Sequence, residues 1–203
     1  MELKYLVERS RAGDIEAFEQ LYRFYAPRAL RTVYLIRPNL RDAQDIMQEA
    51  FLQAWRGFGG LRDAEAFHAW FYRILIRIIN RKATRYKGYA LISSRREPND
   101  LPDVNTPGPE ELVEHNETLT ALRHAIDSLP PILRVPLVLR YYSQLTEAEI
   151  SQVLSIPLGT VKSRTYHARR RLGELLQGEA SKTTVSAGFS SAAGAKREAD
   201  AQC

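Results

Sequence analysis

The chain of 203 residues contains a single cysteine, Cys203, at its last position. No disulfide can close within it, and a reducing cytoplasmic setting is the expectation. Long apolar runs are missing too. None approaches the roughly 18 residues that a membrane helix needs, and no signal peptide is evident, so membrane insertion is not expected. Strand-like alternation is absent, and nearly every periodic segment repeats at helical spacing, so an all-α fold is expected. The four histidines, His68, His115, His124 and His167, are scattered without metal-ligand spacing. No glycine-rich phosphate loop occurs, and Cys203 has no base near it. No catalytic residue, no metal and no cofactor are expected.

Acids are missing in blocks, and the blocks say more than the net charge of +5. Residues 66–96 carry eight Lys or Arg and no acid, and residues 150–173 are again basic without an acid. Between them, residues 97–122 carry seven acids and no Lys or Arg. Two cationic stretches around an anionic one point to a polyanionic partner.

The stretch from Leu145 to Leu172, LTEAEISQVLSIPLGTVKSRTYHARRRL, reads as helix, turn, helix. Thr146 and Glu149 have capping-box spacing. Ser155 to Gly159, with Pro157, breaks the pattern. Val161, Thr165, Ala168 and Leu172 then fall on one face of a second helix. Ser163, Tyr166, His167 and Arg170 point the other way, with Lys162 beside them. A short basic helix behind a helix and turn has the shape that enters a DNA major groove. His167 fits either a base-edge contact or a merely solvated side chain.

Ahead of it, Leu3, Leu6 and Val7 suggest a short helix ending near Gly13. A second is expected from Asp14, with Phe18, Leu21, Tyr22, Tyr25, Leu30, Val33 and Tyr34 buried and a kink at Pro27. Leu40 to Gly57 follows, with Ala43, Ile46, Met47, Ala50, Phe51, Ala54 and Phe58 as a wide inward stripe. Asp45, Gln48, Glu49 and Arg56 form the opposite face, and Leu52 lies among them. Leu52 fits either an anchor for a partner protein or an ordinary exposed leucine. The helix from about Ala66 to Arg85 turns Phe71, Tyr72, Leu75, Ile76, Ile79 and Ala83 inward. It turns Trp70, Arg73, Arg77, Asn80, Arg81 and Thr84 outward, a basic stripe with an aromatic ring suited to phosphates and an unpaired base. Pro98, Pro102, Pro107, Gly108 and Pro109 punctuate a linker from Tyr86 to about Glu111. Two more helices are expected, one through Leu112, Leu119, Leu122 and Ile126 and one over 132–142. The tail beyond Leu176 has a disordered composition.

Two stretches resemble one family. DAQDIMQEAFLQAW followed by FHAWFYRI is similar to region 2 of bacterial sigma factors. LPPILRVPLVLRYYSQLTEAEISQVLSIPLGTVKSRTYHARRRL is similar to region 4, with GTVKSR its most telling hexapeptide. The short two-domain form resembles the extracytoplasmic-function (group 4) branch of the sigma-70 family. That implies two small helical domains, region 2 over 1–86 and region 4 over 113–177. A flexible, largely acidic linker would span 87–112, and a disordered tail 178–203.

The resemblance also implies a sigma factor that binds core RNA polymerase and directs initiation through −10 and −35 promoter DNA, in a stress or envelope response. Asp45, Gln48, Glu49, Leu52 and Trp55 match the segment that docks on the β′ clamp helices, and the β flap is a further implied contact. Trp70, Arg73, Arg77, Asn80 and Arg81 match contacts to melted −10 DNA. Lys162, Ser163, Tyr166 and His167 match positions that reach −35 base edges, and Arg164 and Arg170 suit phosphates. An anti-sigma factor is another implied partner. Three positions depart from the family pattern: Arg77, often Asn; Arg81, often an acid; and Ser155, commonly a turn Gly. A stand-alone helix-turn-helix regulator is the alternative, but it leaves the helix from Asp42 to Trp55 without a task.

Overall fold

The structure, a computed structural model, describes residues 3–86 and 111–177, with side chains for 3–82 and 119–177. Residues 87–110 of the expected linker and the whole expected tail lie outside these residues, while Glu111 and Leu112, expected in the linker, begin α5. Among the described residues there are only helices and turns: α1 (Leu3–Arg11), α2 (Ile15–Ile36), α3 (Leu40–Gly57), α4 (Phe67–Tyr86), α5 (Glu111–Asp127), α6 (Pro131–Tyr141), α7 (Glu147–Leu154) and α8 (158–177). Two single 3₁₀ turns, Phe58–Gly60 and Ala64–Ala66, join α3 to α4.

The helix boundaries follow local chemistry. Gly13 has a φ of 92°, which only glycine adopts without strain, and it turns the chain between α1 and α2. Asp14 caps α2 by accepting from the Ala17 amide, and Asn39 caps α3 by accepting from the Asp42 amide. Thr146 and Glu149 form the expected capping box on α7. Pro27 and Pro136 both lie inside continuous helices, α2 and α6. An internal proline costs about 3 kcal/mol, so tertiary burial, not propensity, holds these two helices together.

The expected inward stripes are the core. On α3, Ala43, Ile46, Met47, Ala50, Phe51 and Ala54 are all buried. On α4, Phe71, Tyr72, Leu75, Ile76 and Ile79 are buried, and so are Ile74 and Ile78, which the pattern had not assigned. The extra two are explained by α4 being packed on several sides. Tyr22 is a correction: it was placed in the core, yet it is 37% exposed. Its ring lies 4.6 Å from that of Phe51 at the open edge between α2 and α3. Leu119, on the apolar repeat of α5, is also exposed.

The C-terminal helices do not stand apart. Val138, Leu139, Leu145, Ile150, Val153 and Val161 belong to the same apolar cluster as the cores of α2, α3 and α4. A smaller cluster of Leu129, Leu137 and Ala168, with Leu133, Leu172 and Leu175 against it, fixes α8 to α5 and α6. Around Ser143, which is fully buried, hydrogen bonds cross between the two halves. Its hydroxyl lies 3.0 Å from that of Thr32, which in turn lies 3.4 Å from the Tyr72 hydroxyl. Its carbonyl accepts from His68 Nε2 at 2.8 Å. That bond leaves Nδ1 of a neutral His68 to accept from the Tyr25 hydroxyl at 3.3 Å.

Burial pushes His68 below its ordinary value of 6.5; the Ser143 carbonyl and Glu149 oppose this, and Arg28 adds to it. The unfolded chain therefore binds this proton more readily than the folded one. The His68 contribution to stability is present above pH 6.5 and is lost as the pH falls through the depressed folded value. Urea midpoints at pH 7.5 and 5.5 should differ more in the wild type than in His68→Gln, which keeps a donor but does not titrate. At the α7 cap, Thr146→Ala should lower stability by about 1 kcal/mol in the same titrations at neutral pH.

Candidate nucleic-acid interface

The second helix of the helix-turn-helix, α8, is built as its pattern requires. Val161, Thr165 and Ala168 are buried, which leaves Lys162, Ser163, Tyr166, His167 and Arg170 on the solvent side. Arg164 is half-buried. Tyr166 is 65% exposed, and its ring stands edge-on to that of His167 at 5.5 Å. The turn before the helix depends on Ser155, whose φ of 53° puts it in the left-handed region. A serine there carries strain that glycine would not. Ser151 steadies the turn by donating to the Ile156 carbonyl at 2.6 Å.

Not all of the cations on α8 are unengaged. Glu174 directly follows the acid-free run, and it accepts from Arg170 Nε at 3.2 Å and from Arg171 Nη1 at 3.1 Å. These two partners, Arg171 first, hold its carboxyl below the usual value. Arg169 lies over the exposed Tyr141 ring at 5.9 Å. Lys162 and Arg164 therefore sit nearer the turn, and the paired arginines nearer the far end of the helix.

The basic stripe of α4 is present, with unequal members. Arg73, Arg77, Asn80 and Arg81 are exposed. Arg73 donates to the Gln152 carbonyl of α7 at 3.1 Å. Trp70 is half-buried rather than outward, with its ring 5.7 Å from Phe58 and 5.9 Å from Phe67. Gly57 makes room for it: a Cβ there would meet Trp70 Cζ2 at 3.3 Å. An edge of the indole remains accessible at the rim of the aromatic core.

On α3, Asp45, Gln48 and Leu52 are exposed, and Glu49 and Trp55 are half-buried. Leu52, 56% exposed, is not isolated. It forms one wall of an open apolar groove of about 470 Å³, together with Ile15, Phe18, Tyr22, Phe51 and Trp55, and Gln48 at its edge. The Trp55 ring packs 4.9 Å from that of Phe18. Sequence reasoning assigned Phe18 and Tyr22 to the buried side of α2 and gave Ile15 no role, so it missed all three as groove residues. The available signal was Ile15, an isoleucine at the very start of the helix, and it is 71% exposed.

The α3 acids and the α4 cations meet at one edge. Glu49 pairs with Arg81, and Asp45 with Lys82 at 3.6 Å. Arg81, where the family often has an acid, thus answers an acid on the neighbouring helix.

Two family profiles match this chain: "Sigma-70 region 2" over residues 21–88 and "Sigma-70, region 4" over 119–172. The RNA polymerase sigma-H factor of Pseudomonas aeruginosa is 32% identical over 187 residues, spanning 85% of this chain and 92% of that protein. The chain belongs to the sigma-70 family of bacterial RNA polymerase sigma factors. The ECF RNA polymerase sigma-E factor of Escherichia coli K12 is 31% identical over 185 residues, spanning 85% of this chain and 93% of that one. This agrees with the extracytoplasmic-function type.

Solved sigma-factor structures share the fold. CnrH, in complex with the cytosolic domain of CnrY, aligns with a TM-score of 0.63 at 20% identity, covering 87% of this chain and 97% of that one. RpoE of Bartonella quintana, in complex with the anti-sigma factor NepR, aligns at 0.65 and 19% identity, covering 80% and 98%. The chain is therefore a sigma factor rather than a stand-alone helix-turn-helix regulator, and sigma factors of this family act with core RNA polymerase on promoter DNA. No helix among the described residues is long and apolar enough to cross a membrane, and no group of metal-ligating side chains occurs among them.

The Glu49–Arg81 pair is partly exposed, so its net worth is small. A double-mutant cycle of Glu49→Ala and Arg81→Ala, read by urea unfolding, should give a coupling of about 0.2–1 kcal/mol. The coupling should shrink in high salt.

Proposed function

We propose that the groove and acidic edge of α3 form the polymerase-docking surface, that the stripe on α4 holds melted −10 DNA, and that α8 reads the −35 element. The observation that carries this reading is the placement of Leu52. An exposed leucine at the wall of an apolar groove, rimmed by Asp45, Gln48 and Glu49, has the make-up of an interface anchor. Its expected partner surface is a helix presenting apolar side chains flanked by cations, and the β′ clamp helices are the polymerase element assigned to it. The β flap would be met by region 4.

On α4, Trp70 offers a ring for stacking, and Arg73, Arg77, Asn80 and Arg81 offer donors to phosphate and base edges. Trapping unpaired bases shifts the duplex towards the open state, because unstacking costs only a few kcal/mol per base. On α8, Lys162, Ser163, Tyr166 and His167 are aimed at base edges, and Arg164 and Arg170 at phosphates. The protein works by binding and not by catalysing bond chemistry, and it acts in the cytoplasm, where the polymerase is. Regions 2 and 4 correspond to 1–86 and 113–177. An anti-sigma factor is the natural regulator, since the solved neighbours of this fold include sigma factors bound by such partners.

Leu52→Ala combined with Gln48→Lys should weaken association with core polymerase at least tenfold in fluorescence anisotropy while leaving the unfolding midpoint in place. Unchanged association would remove the docking assignment. Lys162→Ala should relax preference at one −35 position, by about 1–3 kcal/mol if it reads a guanine edge. This can be checked in run-off transcription from single-base promoter variants.

A further inference from the structure

α3 and α4 lie side by side in opposite directions, and the seam between them has an aromatic end and a charged end. Where α3 stops, Gly57 lies against Trp70 near the start of α4. In the second turn of α3, Asp45 meets Lys82 near the end of α4 at 3.6 Å, and one turn on Glu49 meets Arg81. Two acids of the docking face and two cations of the DNA face are therefore bound to each other. Arg81 belongs to the outward stripe of α4. Lys82 follows it in sequence, and Asp45 draws its ammonium to the same seam.

Both bridges are placed where they can open. Arg81 and Asp45 are each exposed over at least half of the side chain, and bridges so placed are held weakly against water and competing ions. Glu49 Oε1 also accepts from Gln53 Nε2 at 3.0 Å, so the carboxylate keeps a neutral donor when Arg81 leaves it. A phosphate that takes Arg81 in the free chain has the Glu49 carboxylate beside it and is repelled. A cation that takes Glu49 has the Arg81 guanidinium beside it and is repelled in the same way. Neutralising either acid from outside removes the first obstacle, and neutralising either cation removes the second. Linkage makes that benefit reciprocal. The exchange is particular to this chain: with an acid at position 81, as the family often has, Glu49 would face a like charge.

We propose that the Glu49–Arg81 and Asp45–Lys82 bridges are an exchangeable clasp between the docking face of α3 and the DNA face of α4, that Lys82 is a further cation for the unpaired strand, and that polymerase bound at α3 releases both cations to DNA. This rests on the docking and −10 assignments proposed above.

The test crosses the two faces. With the full chain and a labelled oligo-dT strand, which offers phosphates and bases but no promoter sequence, Asp45→Asn with Glu49→Gln should raise affinity about threefold or more in moderate salt. The log–log dependence of affinity on salt should steepen by about 1.4, roughly 0.7 for each of two released cations. In a background of Arg81→Gln with Lys82→Gln, the same two substitutions should change oligo-dT affinity by less than about 1.5-fold. With core polymerase, Arg81→Gln with Lys82→Gln should tighten association about threefold in fluorescence anisotropy, although both substitutions remove contacts to DNA. Glu19→Gln and Arg23→Gln, which open the exposed ion pair of α2 instead, should shift the corresponding affinities by less than about 1.5-fold. An unchanged oligo-dT affinity and slope in the acid variant, or a gain that persists without Arg81 and Lys82, would overturn the clasp. Unchanged or weakened polymerase association in the cation variant would overturn the coupling between the faces. If Leu52→Ala with Gln48→Lys leaves polymerase association untouched, the docking assignment fails instead, while the oligo-dT titrations still report on the bridges.

Discussion

The packing of α4 on several sides constrains everything else. α3 covers one side of it and α7 another, and seven of its apolar side chains from Phe71 to Ile79 are buried as a result. Only one stripe is left to water, and that stripe carries Arg73, Arg77, Asn80 and Arg81. A helix so committed cannot rotate to hide its cations or to bring other residues forward. Its polar face is a fixed array of exposed cations, and the half-buried Trp70 lies at its N-terminal end.

The same commitment joins surfaces that would otherwise be independent. Because α3 packs on α4, the acids Asp45 and Glu49 lie against the cations Lys82 and Arg81. The polar faces of α3 and α4 therefore share four charges, each engaged across the seam between the two helices. Because α7 also packs on α4, the helix-turn-helix is positioned by apolar burial and by the Ser143 hydrogen bonds rather than by its own stability. The half formed by α5 to α8 has only a small separate cluster of its own, around Leu129, Leu137 and Ala168. Its core is otherwise shared, which makes its attachment and its stability parts of one balance.

Several elements were legible because a strong local signal and the tertiary outcome agreed. The capping box at Thr146, the break at Ser155 to Gly159 and the inward set Val161, Thr165 and Ala168 all come from short-range chemistry that packing merely confirms. Pro27 was expected within α2 and Pro136 falls within the helix expected over 132–142, and both helices do run through their prolines, where burial offsets the lost hydrogen bond. Less was legible at the open edge between α2 and α3. Tyr22 read as core because an apolar residue at helical spacing looks the same whether it fills the interior or walls a groove.

The sequence by itself determined the helices, their caps, the two cationic faces and the family, because each is encoded in spacing within a few turns or in a contiguous motif. Only the tertiary structure decided that Leu52 belongs to a groove shared with α2, that Arg81 answers Glu49, that Arg170 is held by Glu174, and that Ser143 closes one half of the chain on the other. Except for Arg170, whose partner is four residues on, these are contacts between residues 30 or more apart in sequence. No local period records which stripes meet; that is settled when the apolar faces find the one arrangement that buries them together.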